Sequence, residues 1–114
     1  MSKIREASAI IQLNDNGEEV WTTEPINGTL KTIAILPQSL TGVQFSLGVR
    51  AGPFIILQQR NINKADMWFP MTQPSSEDGQ YFTFATTDWI INEPLTILLR
   101  GIPRESVKII LRWV

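Results

Sequence analysis

The residues best suited to bind a metal ion are clustered around one turn near the start of the chain. Asn14, Asp15, Asn16, Glu18 and Glu19 place many side-chain oxygen atoms close together, and oxygen atoms are the ligands that Ca²⁺ prefers. However, their spacing differs from the D-x-[DN]-x-[DN]-G calcium loop with its distant glutamate. We therefore interpret the cluster as an acidic turn and expect no metal ion or other cofactor.

Two pairs of acidic residues could supply the carboxyl groups of a glycoside hydrolase. Glu77 and Asp78 are adjacent, and Asp88 and Glu93 are five residues apart. Such catalysis requires two carboxyl groups that face each other across a cleft, and no pattern in the sequence indicates that arrangement. The chain has no His and no Cys, so it lacks thiol nucleophiles and imidazole bases. We predict that the protein is not an enzyme.

Large apolar side chains in irregular stretches are the remaining candidates for binding. Residues 60–79 show no periodicity, although they are rich in aromatic residues and methionine, and residues 87–93 are ambiguous between a helical turn and a strand. Aromatic side chains in loops could contact another protein or stack on a sugar, or they could fold back and cover the core. The candidate protein-contact residues are Met67, Trp68, Phe69, Met71 and Trp89.

The elements that position these residues are strands, because the chain alternates with a period of two. The closing residues 94–114 show this best: two alternating runs are separated by Gly101, Pro103 and Arg104, which predicts a hairpin with Arg100, Lys108 and Arg112 on its polar face. The other predicted strands cover residues 7–13, 18–23, 29–36, 43–50, 54–59 and 80–86. This pattern predicts an all-β protein, an antiparallel β-sandwich or jelly roll of about eight short strands.

The same patterns predict where individual strands lie. The centre of residues 54–59 is apolar on both faces, which is typical of a central strand. Residues 1–11 are weakly patterned, so we expect their strand to be poorly fixed in a monomer. The predicted core residues lie on the continuous faces of the clearest strands: Phe45, Leu47, Val49, Ile97, Leu99, Ile109 and Leu111.

Length and charge limit the classes of function. A chain of 114 residues predicts one domain, residues 1–114. The net charge is −1, from 10 basic and 11 acidic residues that are scattered along the chain, so we expect no nucleic-acid partner. The first ten residues lack the apolar core of a signal peptide. No apolar run approaches the ~20 residues that span a bilayer, so we expect no membrane partner and synthesis in the cytoplasm.

Five segments together resemble the small virion structural proteins of tailed bacteriophages. The segments are Asn27-Gly28-Thr29-Leu30, Gly42-Val43-Gln44-Phe45-Ser46-Leu47, Trp68-Phe69-Pro70, Glu93-Pro94-Leu95-Thr96-Ile97 and Ser106-Val107-Lys108-Ile109-Ile110-Leu111. The resemblance covers roughly residues 27–114. It implies a decoration (cement) or minor head–tail protein of the virion, which binds capsid or tail proteins. It also implies a homo-oligomer, a trimer being favoured. Because residues 60–79 carry apolar side chains among polar ones and the N-terminal segment is weakly patterned, we expect one of these two segments at the subunit contacts.

Two other classes of function stay open. The first is a carbohydrate-binding β-sandwich module that uses Trp68 and Trp89 as stacking platforms. The second is a hydrolase of unknown kind, although the chain lacks a nucleophile–base pair.

Overall fold

The computed structural model describes residues 3–38, 44–72 and 87–114, which form ten β-strands and no helix. The strands are β1 (Arg5–Gln12), β2 (Glu18–Thr22), β3 (Ile26–Pro37), β4 (Phe45–Ala51), β5 (Phe54–Ile62), β6 (Asp66–Trp68), β7 (Met71–Thr72), β8 (Thr87–Glu93), β9 (Leu95–Arg100) and β10 (Ser106–Trp113). These residues contain no helical segment long and apolar enough to cross a membrane. Burial alternates along β4, β9 and β10, as the period of two predicts.

The strands form two antiparallel sheets that enclose one apolar core. The large sheet has the order β1-β10-β3-β8-β7, and β6 pairs with the second half of β3. The small sheet has the order β2-β9-β4-β5. The predicted antiparallel β-sandwich is therefore confirmed, with two further short strands, β6 and β7, in the stretch that was expected to be irregular.

The strand order is that of a jelly roll, because the chain is one long antiparallel ribbon folded over on itself. Leaving aside the short strands β6 and β7, the ribbon pairs β1 with β10, β2 with β9, β3 with β8 and β4 with β5. Successive pairs alternate between the two sheets. Two further pairings, of β10 with β3 and of β9 with β4, join these ribbon segments within each sheet.

The first bend of the ribbon crosses from the large sheet to the small sheet at one end of the sandwich. Here the turn after β1 runs alongside the turn before β10, and backbone hydrogen bonds join the two turns. The Leu13 N–H donates to the Glu105 carbonyl at 2.9 Å, and the Arg104 N–H donates to the Leu13 carbonyl at 3.2 Å. The Gly101 N–H donates to Gly17 at 2.8 Å. Gly17 has φ = 74°, which is favourable for glycine.

The second bend is held by one buried threonine. Thr23 follows β2, and Leu95 begins β9 beside it. The Thr23 N–H donates to the Leu95 carbonyl at 2.9 Å, while the Thr23 hydroxyl oxygen accepts from the Leu95 N–H at 2.9 Å. The same hydroxyl donates to the Glu24 carbonyl at 2.8 Å. Thr23 is the single buried polar residue of the described part of the chain, and both its N–H and its hydroxyl are hydrogen-bonded.

The predicted hairpin of the last two strands is wrong. β9 belongs to the small sheet and β10 to the large sheet, so the turn between them crosses the end of the sandwich. Arg100 therefore lies beside Glu18, at 3.5 Å, on the small sheet. Lys108 and Arg112 lie on the large sheet. A period of two indicates a strand with one buried face but does not identify the sheet to which it belongs, and this is the reason for the error.

Two predictions about individual strands are also wrong. β5 is an edge strand of the small sheet, and its apolar residues Phe54 and Ile55 are exposed rather than central. β1 is firmly placed, since all eight of its residues pair with β10 and Glu6 forms an ion pair with Arg112 at 2.9 Å. The N-terminal strand thus belongs to the large sheet.

The remaining predictions divide between confirmed and untested. All seven predicted core residues are at most 1% exposed, so these assignments are confirmed. Residues 87–93 form the strand β8, which resolves the ambiguity in that stretch. The irregular character predicted for 60–79 is wrong for 60–72, which contain the end of β5 and the strands β6 and β7. Residues 73–79 and the strand predicted at 80–86 lie outside the described residues.

We expect Thr23→Val to lower the free energy of unfolding by about 1–3 kcal/mol, because it leaves the buried Leu95 N–H without an acceptor. Thr22→Val is the matched control, since Thr22 is exposed and its change should stay within about 0.5 kcal/mol. Urea denaturation of both variants measures the difference. Equal effects of the two substitutions would contradict a structural role for the hydroxyl.

Candidate functional site

Strand alternation divides the Met67-Trp68-Phe69 sequence between the inside and the outside of the sandwich. In β6, Trp68 is opposite Ile33 of β3, which is fully buried, so Trp68 points inward and packs half-buried against the core. Met67 is opposite Ala34 on the outer side and is 44% exposed. Phe69 follows β6 and is 71% exposed. Met67 and Phe69 are therefore accessible to a partner, whereas Trp68 covers core.

The other two candidate residues lie in β7 and β8. Trp89 is opposite Leu30, and it also packs half-buried against the core. Trp68 and Trp89 thus lie on the same flank of β3, and both pack against the core. Met71 pairs with Asp88 in the short β7–β8 ladder. A role of these five residues in protein contact stays a prediction.

The outer face of the large sheet carries a group of adjacent apolar side chains. This large-sheet face consists of Ile10, Ala34, Leu36, Met67 and Ile110. Ala34 lies at its centre, with Ile110 opposite on one neighbouring strand and Met67 opposite on the other. Because the alanine side chain is short, a hollow of about 420 Å³ opens above it. Ile10 is 65% exposed at the margin, so the face offers apolar surface to a partner.

Charged residues surround the large-sheet face. Glu6 and Arg112 form an ion pair at 2.9 Å at one end of the face. Lys108 lies between Ile10 and Leu36, and Asp66 lines the hollow from β6. In the described part of the chain, neither Lys108 nor Asp66 has an ion-pair partner. An apolar centre with a charged rim is the arrangement of many protein interfaces.

The outer face of the small sheet mixes charged and apolar side chains and forms a shallow depression of about 640 Å³. It brings together Arg50, Arg60 and Arg100, which are far apart in sequence, because β4, β5 and β9 are neighbours in the sheet. Glu18 lies beside Arg100 at one edge. Gly48 lies at the centre and leaves a gap in the row of side chains. The sequence shows only scattered charges, so this arrangement appears first in the tertiary structure.

A third concave region lies at the open edge between the sheets. This edge cleft has a volume of about 480 Å³ and contains Phe54, Trp89, Ile90, Asn92 and Glu93 in its wall. Phe54 is 63% exposed, so one aromatic ring faces the solvent there. The Trp89 Nε1 is buried and has no hydrogen-bond partner among the described residues. The cleft combines aromatic, amide and carboxylate groups.

The acidic turn uses its oxygen atoms within the protein. The Asn14 Oδ1 accepts hydrogen bonds from the N–H groups of Asn16 and Glu18 at 2.9 and 3.0 Å. Asp15 forms an ion pair with Arg104 at 3.1 Å, and Glu18 is 3.5 Å from Arg100. In residues 3–38, 44–72 and 87–114, no three His, Cys, Asp or Glu residues are grouped so as to hold a metal ion.

Of the two acidic pairs considered from the sequence, the structure describes Asp88 and Glu93. Glu77 and Asp78 lie outside the described residues. Glu93 lies in the edge cleft near the β4–β5 turn, where a Cβ placed on Gly52 would be 3.3 Å from its Oε1. Asp88 belongs to the β7–β8 ladder.

Comparison of the chain with protein-family models, curated proteins and solved structures finds no match. The resemblance to phage virion proteins therefore depends on the five segments given above. Three surfaces could bind a partner: the large-sheet face, the outer face of the small sheet (the small-sheet face) and the edge cleft.

We expect Trp68→Ala to lower the free energy of unfolding by about 1–3 kcal/mol, less than for a fully buried tryptophan, because Trp68 covers the edge of the core. Phe69→Ala is the matched control. Phe69 is the next aromatic residue and is 71% exposed, so its change should stay within about 0.5 kcal/mol. Chemical denaturation of both variants tests the inward position of Trp68, which would be refuted by a larger effect of Phe69→Ala.

Millimolar Ca²⁺ should leave the melting temperature unchanged, because the oxygen atoms of the acidic turn already accept hydrogen bonds or pair with arginine. A ligand that binds the folded state would raise the melting temperature. Thermal unfolding with and without Ca²⁺, and with Mg²⁺ as a control for ionic strength, measures this. A rise of several degrees with Ca²⁺ alone would indicate a calcium site at Asn14–Glu19.

Proposed function

We propose that this protein is a structural protein of a tailed-bacteriophage virion, of the decoration (cement) or minor head–tail type. In this proposal it binds capsid or tail subunits through the large-sheet face. The apolar character of that face is the observation that carries the proposal. The strand order adds support, because jelly rolls occur in viral capsid domains, although they also occur in lectins.

An apolar group on the outside of a sheet needs a physical explanation. In an antiparallel sheet with one solvated face, outward side chains are normally polar. Here Ile110, Ala34 and Met67 lie side by side across three strands, and Leu36 and Ile10 lie in the next row with Lys108 between them. Contiguous exposed apolar surface of this kind marks interaction sites. Contact with another protein would remove it from water.

The mechanism of attachment follows from this surface. Full burial of a side chain such as Ile10 or Met67 contributes about 1.5–3 kcal/mol, before the loss of translational freedom on association. The hollow above Ala34 can accept one apolar side chain of the partner. Lys108 and Asp66, of opposite charge, would select the orientation of the partner. A protein attached to two neighbouring subunits in this way would hold them together in the particle.

Self-association is part of the same proposal. The homo-oligomer expected from the resemblance would multiply the number of attachment points on a particle, and the resulting avidity would exceed the affinity of one copy. The trimer implied by the resemblance stays a prediction.

A carbohydrate-binding module is the second candidate, and the edge cleft is the observation that favours it. Phe54 offers an exposed aromatic ring, and Asn92 and Glu93 offer polar groups near it. Of the two tryptophans considered for this function, Trp89 lies in the cleft, whereas Trp68 packs against the core elsewhere. Titration with oligosaccharides, followed by tryptophan fluorescence, and its loss in Phe54→Ala would support this candidate.

The attachment experiment uses particles of the phage that encodes the protein, mixed with purified protein and sedimented. We expect Met67→Asp and Ile110→Asp to reduce co-sedimentation at least tenfold, because a charge within an apolar interface is desolvated without a partner. Ile102→Asp is the control, since Ile102 is exposed in the β9–β10 turn, away from the large-sheet face. Circular dichroism checks that all three variants fold. Unchanged sedimentation of the folded Met67→Asp and Ile110→Asp variants would refute attachment through this face.

A further inference from the structure

The small-sheet face is organised as rows of side chains that cross the four strands. The central row is Val20, Leu98, Gly48 and Gln58, on β2, β9, β4 and β5 in that order. A neighbouring row begins with Glu18 on β2 and continues with Arg100 and Ser46. Arg60 on β5 lines the same depression, and it follows Gln59, which pairs with Leu47, so it lies at the level of Ser46.

The central row contains a projection and a gap side by side. Leu98 is a half-buried leucine on the outer face, and Gly48 is directly opposite it on the next strand. Because glycine has no side chain, the sheet surface is lower at Gly48 than at Leu98, whose Cβ and Cδ1 would lie 3.7 and 3.8 Å from a Cβ placed there. If a second copy lies against this face with its strand order reversed, Leu98 of each copy is placed opposite Gly48 of the other. The two surfaces are then complementary in shape.

The two edges of the face carry charges of opposite sign. The β2 edge carries the acidic side chain of Glu18, and the β5 edge carries the basic side chain of Arg60. Arg60 has no ion pair among the described residues, and Glu18 is 3.5 Å from Arg100, with more than half of each side chain exposed. A second copy in the reverse strand order would place its Arg60 opposite Glu18.

We infer that the small-sheet face joins two copies of this chain across a two-fold axis that runs parallel to the strands, between β9 and β4. This axis exchanges β9 with β4 and β2 with β5. Leu98 of each copy then meets the gap at Gly48 of the second copy. Glu18 of each copy meets Arg60 of the second copy. Both contacts occur twice, as an isologous interface requires.

A second copy fits this face better than an unrelated partner does. The face carries Glu18 at its β2 edge and Arg60 at its β5 edge, with Arg50 and Arg100 between them, so a uniformly basic partner would meet three arginines and a uniformly acidic partner would meet Glu18. Self-pairing brings Leu98 to Gly48 and Glu18 to Arg60 with the same operation, and it places Arg100 opposite Ser46 and Arg50 opposite Thr96 rather than opposite another arginine. The inference does not depend on the proposed virion function, because pairing occurs in the purified protein, and attachment to particles uses the large-sheet face.

Size-exclusion chromatography with light scattering, from low to high micromolar concentration, tests the pairing. We expect the mass of two copies at high concentration, with weaker pairing at high salt because the Glu18–Arg60 contacts are screened. A mass of one copy throughout would overturn the inference. A mass of three copies would also overturn it and would support the trimer instead.

Gly48→Ala tests the contact between Leu98 and the gap. Within one copy the new Cβ would lie 3.7 Å from the Leu98 Cβ, an ordinary contact, so the variant should fold normally. In the pair the methyl group occupies space needed by Leu98 of the second copy, and we expect pairing to weaken about tenfold or more. Normal pairing of Gly48→Ala would refute the proposed contact.

A mixing experiment tests the charge contact and the symmetry together. Arg60→Glu alone places two acidic groups at each contact, and Glu18→Arg alone places two basic groups there, so each variant should be monomeric. In a mixture, one contact is the natural Glu18–Arg60 pair and the other is the reversed pair, so we expect the mass of two copies to return. Glu24→Arg, an exposed change outside the face, should pair like the natural protein. No return of pairing on mixing would overturn the two-fold arrangement.

Discussion

The structure depends on keeping a two-stranded ribbon hydrogen-bonded while it bends from one sheet to the other. At the first bend, the Gly101 N–H donates to the Gly17 carbonyl, and two more backbone hydrogen bonds join the paired turns. Where the two turns meet, Gly101 has no room for a side chain. A Cβ there would lie 2.5 Å from the Cδ1 of Phe45, which fills the core beneath it. At the second bend, the Thr23 hydroxyl accepts a hydrogen bond from the Leu95 N–H, which is not paired within the sheet. Buried backbone groups must be paired, so these bends determine how the ribbon wraps.

The wrapping determines which side chains meet on the outside. Each sheet combines strands from both halves of the chain: β1 and β10 with β3 in the large sheet, and β2 and β9 with β4 in the small one. As a result, Ile110 lies beside Ala34 on one outer face, and Leu98 lies beside Gly48 on the other. The inner faces fill the core, and the outer faces are left to differ in chemistry.

The two outer faces are suited to different kinds of contact. The large-sheet face is apolar at its centre, which favours a stable contact with a partner that buries it. The small-sheet face mixes apolar and charged side chains, with opposite charges at its two edges, which favours pairing in one defined orientation. A protein that pairs through one face and attaches through the other would present two attachment surfaces on opposite sides of the pair. That arrangement suits the proposed role of holding neighbouring subunits of a particle together.

The sequence by itself determined most of the longer strands, the predicted core residues and the acidic turn, because each depends on local pattern. Alternation predicted that Leu99 and Leu111 are buried, and the cluster at Asn14–Glu19 predicted the turn after β1. The tertiary structure alone decided that β9 and β10 lie in different sheets, that β5 is an edge strand and that Trp68 points inward while Met67 points outward. The physical reason is that a period of two specifies the two faces of one strand but not its neighbours. Pairing between distant strands depends on the bends of the whole ribbon, and so do the surfaces that those pairings create.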